Sequence, residues 1–361
     1  MVGYEGPSYF CDRARETRKI VGAIENGRNV TLIAPRRYGK TGLIHHVMGR
    51  LPSTCSCAYL DIFATQNLAD FTRAFAAAVL GAFDTPVEKT LALVARFFKS
   101  CRPTVTPQEN GLPKFSFDLA EGQAAATLKE VFDYLHSRQK QVVIAIDEFQ
   151  QILDYPEQGT EALLRAHVQS VPGVRFIFAG SRHHLMSEMF ATAKHPFYQS
   201  TDVLSLDVID PVVYASFASK NFAQGHFRFS QEIFNQLYAR FQGITWYVQT
   251  VLNHVWEKGE GLTSTTMLDK VIDDLVLDRS LVFRDLFFSQ SKAAQKLLKA
   301  IADEGEAQSV LSSAFIRRHE LSATSTVRSA VKRLEMNDLV YRTERGYVVY
   351  DRLFMEWLKR L

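Results

Sequence analysis

Gly39, Lys40 and Thr41 follow one another shortly after an apolar run, Val30-Thr31-Leu32-Ile33, and just before a helical pattern that opens with Leu43 and Ile44. A strand, a tight loop and a helix start in that order leave several backbone N–H groups unpaired at one point. Together with the helix N-terminus they form a cradle for the phosphates of a nucleotide. Lys40 can reach the β- and γ-phosphates, and the Thr41 hydroxyl can hold Mg²⁺. Ala34, Pro35, Arg36, Arg37, Tyr38, Gly39 and Gly42 complete the cradle. Ala34 stands where such loops carry their first glycine. Alanine tolerates a positive φ poorly, so the turn there must use ordinary dihedrals, with Pro35 fixing the next φ.

Two further strand ends carry matching chemistry. Gln141-Val142-Val143-Ile144-Ala145-Ile146 is continuously apolar after its first residue and ends in Asp147-Glu148. That is the pattern of a parallel strand buried on both faces, and it puts both carboxylates at the C-terminal strand edge, where open α/β sheets bind ligands. Asp147 is expected to hold Mg²⁺ through water, and Glu148 to orient or deprotonate the attacking water. Val174 to Gly180 reads as another buried strand and ends in Ser181-Arg182. A hydroxyl or guanidinium at the tip of the strand beside the acidic one can touch the γ-phosphate, which makes Ser181 or Arg182 a candidate; the alternative for Arg182 is a solvated strand-end cation. Upstream, Phe10 and Arg13 stand where they could reach the base or ribose. They could equally be a core residue and an ion-paired arginine.

Positioning these groups requires a sheet. Strands alternate with helical patterns up to about residue 208, which predicts a parallel, doubly wound α/β core. Within it, residues 84–99 continue a helical pattern, and Arg102 to Asp118 reads as a hairpin or loop insertion around Asn110-Gly111. Residues 209–290 are wholly helical, with Phe227-Arg228-Phe229-Ser230 as a capped helix start and Gly243-Ile244-Thr245-Trp246 as a break between two helices. A helical domain after a nucleotide-binding sheet suits a lid. Residues 291–361 change character again: three helices, the third capped by Ser325 or Thr326, then a hairpin with Glu344 and Arg345 at its tip. This predicts a winged helix-turn-helix. Its third helix turns Val327, Ala330, Val331 and Leu334 inward, and Arg328, Lys332 and Arg333 outward. Across 291–361 there are 13 Lys and Arg against 9 Asp and Glu. Those cations could serve double-stranded DNA, while the same fold also docks proteins.

At 361 residues and 47% hydrophobic content the chain can bury large cores, and the length suggests two or three domains. A formal net charge of +3 is too small to mark a nucleic-acid binder by composition alone. Cys11, Cys55, Cys57 and Cys101 lack zinc-ligand spacing and read as reduced packing residues. No apolar run approaches the roughly 20 residues of a membrane span, and no signal-peptide core begins the chain, so no membrane role and a cytoplasmic location are expected.

Taken together, these stretches resemble the archaeal ATPase family, prokaryotic P-loop ATPases allied to the AAA+ and STAND classes. The resemblance rests on Phe10, Asp12-Arg13 and Glu16, on Pro35-Arg36-Arg37-Tyr38-Gly39-Lys40-Thr41, on Ile146-Asp147-Glu148-Phe149-Gln150, on Gly180-Ser181-Arg182, on Pro196-Phe197-Tyr198, and on the C-terminal winged helix. It implies a core over 1–208, a helical lid over 209–290 and a winged helix over 291–361, with ATP as the nucleotide. Lys40 and Thr41 would serve phosphate and Mg²⁺, Asp147 the metal, Glu148 the water, and Ser181 or Arg182 phosphate sensing. Two positions depart from the family pattern: Ala34 replaces a glycine, and Gly243-Ile244-Thr245 lacks the lid's proline. The expectation is an ATP-hydrolysing switch that couples nucleotide state to DNA or a protein partner, with homo-oligomerisation open. The alternative is a non-hydrolysing nucleotide-dependent regulator or scaffold. Glu148 weighs against that alternative, because affinity alone needs no water-activating carboxylate.

Overall fold

The computed structural model describes residues 4–82, 99–106, 114–120, 122–138 and 140–361. The chain divides into two compact units, Met1–Val213 and Tyr214–Leu361.

The first unit is built on five parallel strands, β1 (Val30–Ile33), β2 (Ser56–Asp61), β5 (Val142–Asp147), β6 (Val174–Gly180) and β7 (Asp202–Ser205), in the spatial order β2-β5-β6-β1-β7. Every residue of β1 and β5 is buried. Successive side chains of a strand point to opposite faces, so a strand covered on both sides is apolar nearly throughout; the buried exceptions are Thr31, whose hydroxyl shares a hydrogen bond with Thr201 Oγ1 at 2.6 Å, and Asp147 at the strand end. On one face Val143, Ala145, Ile177 and Ala179 meet α1 (Ala14–Glu25) and α2 (Lys40–Met48) through Ile20, Ile24, Leu43, Ile44 and Val47. On the other, Ile144, Ile146, Phe176 and Phe178 meet α3 (Leu68–Gly81), α4 (Ala124–His136), α5 (Thr160–Ser170) and α6 (His183–Ala191). Phe149, Phe178, Phe190 and Phe197 pack edge to face or tilted at centroid distances of 4.5–6.0 Å. Each such ring contributes about 1.5–3 kcal/mol relative to exposure.

The expected insertion is an antiparallel hairpin of β3 (Cys101–Thr106) and β4 (Lys114–Leu119). Its turn at Asn110-Gly111 lies outside the described residues, as does nearly all of the helical pattern over 84–99.

The second unit begins within α7 (Pro211–Gln224) and continues through α8 (Gln231–Arg240), α9 (Thr245–Glu257), α10 (Thr265–Leu277) and α11 (Ser280–Phe288). It ends in α12 (Lys292–Glu304), α13 (Ser313–Arg318), α14 (Thr324–Met336), the wing β8 (Val340–Arg342) and β9 (Tyr347–Val349), and α15 (Arg352–Leu358). Ser230, Ser264, Ser291 and Ser312 cap their helices by accepting an N–H three residues on. The cap expected at Ser325 or Thr326 is corrected: α14 starts at Thr324 after an extended Ala323, with no side-chain cap. Three helices and a wing also undercount the module. Asp351 caps α15 by accepting from Leu353 and Phe354, and α15 is tied to the preceding helices. Arg240 bridges Glu356 and Asp269 at 2.6 Å each, and the fully buried Arg352 donates to Gln242 Oε1 at 2.7 Å.

Candidate functional site

The loop between β1 and α2 bends without the missing glycine. Ala34 is buried and not among the residues with positive φ; the left-handed turns fall at Arg37 (φ 73°) and Gly39 (φ 88°). A Cβ on Gly39 would meet nothing within 4 Å, so its glycine answers the backbone conformation rather than crowding. The loop from Pro35 to Gly39 thus leads directly into the first turn of α2, where the helix dipole favours an anion.

Lys40 is only 6% exposed. Its ammonium donates to the Ala34 carbonyl at 3.0 Å and the Pro35 carbonyl at 3.5 Å, and lies 4.0 Å from Glu148 Oε1. Burial lowers its pKa, and Glu148 and Asp147 pull the other way. A buried cation held mainly by two carbonyl dipoles is a receptor for negative charge.

Thr41 Oγ1 donates to Asp147 Oδ2 at 2.6 Å. Tyr59 OH donates to the same oxygen at 3.2 Å, and the Glu148 N–H to Oδ1 at 3.0 Å. A threonine hydroxyl beside a carboxylate is a donor set suited to Mg²⁺, a hard cation that keeps most of its water and takes one or two protein oxygens. The residues present therefore fit the metal.

Glu148 has φ 55° and precedes a 3-10 turn, Phe149–Asp154. Its Oε2 accepts from Ser181 Oγ at 2.5 Å and from Gln150 Nε2 at 2.6 Å. Of the two residues at the tip of β6, then, Ser181 touches the acid. Arg182 is turned to Asp154, 3.2 Å away, with both side chains largely exposed.

The remaining loop and upstream residues have these places. Arg36 lies over the Phe63 ring, 4.9 Å from its centroid. Phe10 stacks on His46 of α2 at 4.1 Å, and a Cβ on Gly42 would lie 3.7 Å from its ring. Arg13, 5% exposed and itself at φ 60°, donates to the carbonyls of Asp207 at 2.6 Å and Tyr38 at 3.4 Å, with Glu16 3.8 Å away. It ties the segment before α1 to both the phosphate loop and the chain after β7.

Tyr59 and Asp61, at the end of β2, also belong to this site. Asp61 pairs in register with Asp147 at the C-terminal edge of neighbouring strands. Burial raises its pKa, and Asp147 and Glu148 push it further the same way. An acid closing a second strand is a visible signal, but its meaning depends on β2 lying next to β5.

In the second unit, Arg328, Lys332 and Arg333 are exposed on α14, opposite buried Val327, Ala330, Val331 and Leu334. None of the three cations has an ion-pair partner among the described residues.

No curated protein sequence matches the chain. It is similar to the Walker-type ATPase PabY2304 of Pyrococcus abyssi, with 15% identity, TM-score 0.67, and 100% of this chain and 99% of that one covered. The Aeropyrum pernix ORC2 protein, solved as ADPNP–ADP complexes, matches at 15% identity and TM-score 0.58 over 99% and 97%. The Aeropyrum pernix ORC1 protein in complex with DNA matches at 13% and 0.54 over 98% and 93%. At these identities the likeness concerns the fold. A family model described as a probable winged helix domain matches residues 281–360, and one described as an ATPase domain predominantly from Archaea matches residues 10–251. With two thirds of its length inside that second match, the chain belongs to this family of ATPase domains.

Proposed function

We propose that the protein binds Mg²⁺·ATP and hydrolyses it slowly as a cytoplasmic switch, coupling nucleotide state to a winged helix that engages double-stranded DNA or a protein partner. The observation that carries this reading is the meeting of Lys40, Thr41, Asp147 and Glu148 at one strand edge, with Thr41 Oγ1 2.6 Å from Asp147 and Lys40 4.0 Å from Glu148. Lys40 binds the β- and γ-phosphates, exchanging carbonyl partners for phosphate oxygens. Thr41 and Asp147 hold the metal, which when bound neutralises charge on the phosphate oxygens. Glu148 accepts the proton of the attacking water, and Ser181 positions Glu148 and senses the γ-phosphate. Residues 1–208 act as the ATPase core, 209–290 as the lid and 291–361 as the reader. ATP must bind one arrangement of these parts more tightly than the other, since equal affinity shifts nothing. The Aeropyrum ORC1 complex supports testing DNA first.

One feature favours the second reading, a non-hydrolysing regulator. Oε2 of Glu148 is already engaged by two donors, Ser181 and Gln150. Single-turnover phosphate release from ATP, comparing wild type with Glu148→Gln, separates the two. Release slowed at least tenfold in the variant, with nucleotide binding retained, supports the ATPase; indistinguishable rates discard it.

A further inference from the structure

The sheet of the first unit has an open edge that no functional role has yet claimed. β7 pairs with β1 on one side only. Asp202 and Leu206 donate their N–H groups to Asn29 and Ile33 on the β1 side. Strand residues alternate in direction, so Val203 and Ser205 turn their N–H and C=O outward. Those groups have no partner among the described residues. Val203 is 50% exposed. Beside this edge runs a groove of about 640 Å³ between β7 and α1, lined among others by Arg18, Lys19, Gly22, Arg28 and Asp202. It lies by the first residues of β1 and β7, at the opposite end of the strands from the phosphate loop.

Two independent features say what fits there. The groove carries three cations against one carboxylate. Arg28 spends its charge on Asp202, whereas exposed Arg18 and Lys19 have no ion-pair partner among the described residues. The second feature is Gly22, in the interior of α1. Its φ is ordinary and a Cβ there would meet nothing within 4 Å, so neither backbone conformation nor packing within the chain asks for glycine, which weakens a helix relative to alanine. A bare stretch of helix facing an open edge leaves room for another backbone. The geometry points to a docking site for an extended, acidic segment of a partner protein, which adds to β7 as a sixth strand, with its acidic side chains against Arg18 and Lys19.

The test uses the full chain and a fluorescent eight-residue peptide alternating valine with glutamate, followed by anisotropy. Its controls are the same peptide with alternate backbone amides N-methylated and a peptide with lysine in place of glutamate. Saturable binding of the acidic peptide is expected, weakened at least tenfold by N-methylation, by Arg18→Glu with Lys19→Glu, and by Gly22→Leu, which fills the groove while leaving the thermal midpoint unchanged or raised. Ser205→Pro gives a second check, since it removes an outward N–H and leaves the β1 ladder whole. No binding, equal binding of the N-methylated or lysine peptide, or insensitivity to both Gly22→Leu and Ser205→Pro overturns the proposal. Two further results overturn it in favour of another occupant: tighter binding of a single-stranded oligonucleotide at the same cations, or concentration-dependent self-association abolished by Ser205→Pro.

Discussion

Thr41 and Asp147 share a hydrogen bond of 2.6 Å although one opens a helix and the other closes a strand on a different part of the sheet. β6 separates β1 from β5, so the contact spans a strand and depends on α2 leaning back across it. Thr41→Ala removes the hydroxyl without disturbing a core position. Mg²⁺ required for half-maximal ATP binding or turnover should rise roughly 10–100-fold, while the urea midpoint stays near wild type. A magnesium titration that superimposes on wild type would show that Thr41 holds no metal.

Nucleotide binding at Lys40 is expected to be proton-linked. Burial places its folded-state pKa below the ordinary 10.5, so without nucleotide the penalty for carrying its charge is relieved, and stability gained, as pH rises through that lowered value. Phosphate oxygens favour the ammonium and raise the pKa again. ATP binding should therefore take up protons at alkaline pH, and affinity should fall as pH climbs through the lowered value. Calorimetric titrations in two buffers of different ionisation enthalpy measure the proton count; zero uptake across the alkaline range rejects the linkage.

Gly180 closes β6 under two buried side chains, Gln150 and Met186. A Cβ there would fall 2.3 Å from Gln150 Oε1 and 2.5 Å from Met186, which is fully buried. Gly180→Ala should lower stability by about 1–3 kcal/mol, the usual effect of overpacking. Because Gln150 holds Glu148, turnover should fall more than nucleotide affinity. An urea midpoint equal to wild type would mean that the site rearranges more freely than its packing implies.

On α14, Arg328 and Lys332 lie one turn apart on the exposed face. If this face meets duplex DNA, replacing both with glutamate should weaken binding at low salt and flatten its salt dependence by about one unit per lost phosphate contact, leaving ATP hydrolysis intact. An electrophoretic titration with mixed-sequence duplex at two salt concentrations decides; weak binding of equal strength by both proteins ends the DNA reading for this face.

Much of this organisation was legible because each motif carried its own local signature. Val142 to Ile146 reads as a strand buried on both faces because its short apolar run is rich in β-branched residues and ends in two acids, and the φ values at Arg37 and Gly39 explain how Ala34 can replace a glycine. Tyr59 and Asp61 were not legible as site residues: their role follows from β2 lying beside β5, a pairing between distant segments that no local pattern encodes. The same holds for α15, short and hydrophobic nearly all round, whose helical nature rests on the Asp351 cap and on its packing against Arg240 and Gln242. Which of Ser181 and Arg182 meets Glu148 depends on side-chain direction, which sequence does not fix.

The central place of β1 also bears on how the molecule is made. Val30 pairs with Ile177 on one side and Asp202 on the other, so the strand that aims the phosphate loop is synthesised early and gains both neighbours late. Until those distant strands arrive, closing the intervening loops is entropically unfavourable and the loop has no fixed frame. A nascent chain carrying Gly39, Lys40 and Thr41 but released before β7 should be blind to nucleotide, which makes ligand capture a reporter of finished synthesis for the whole first unit.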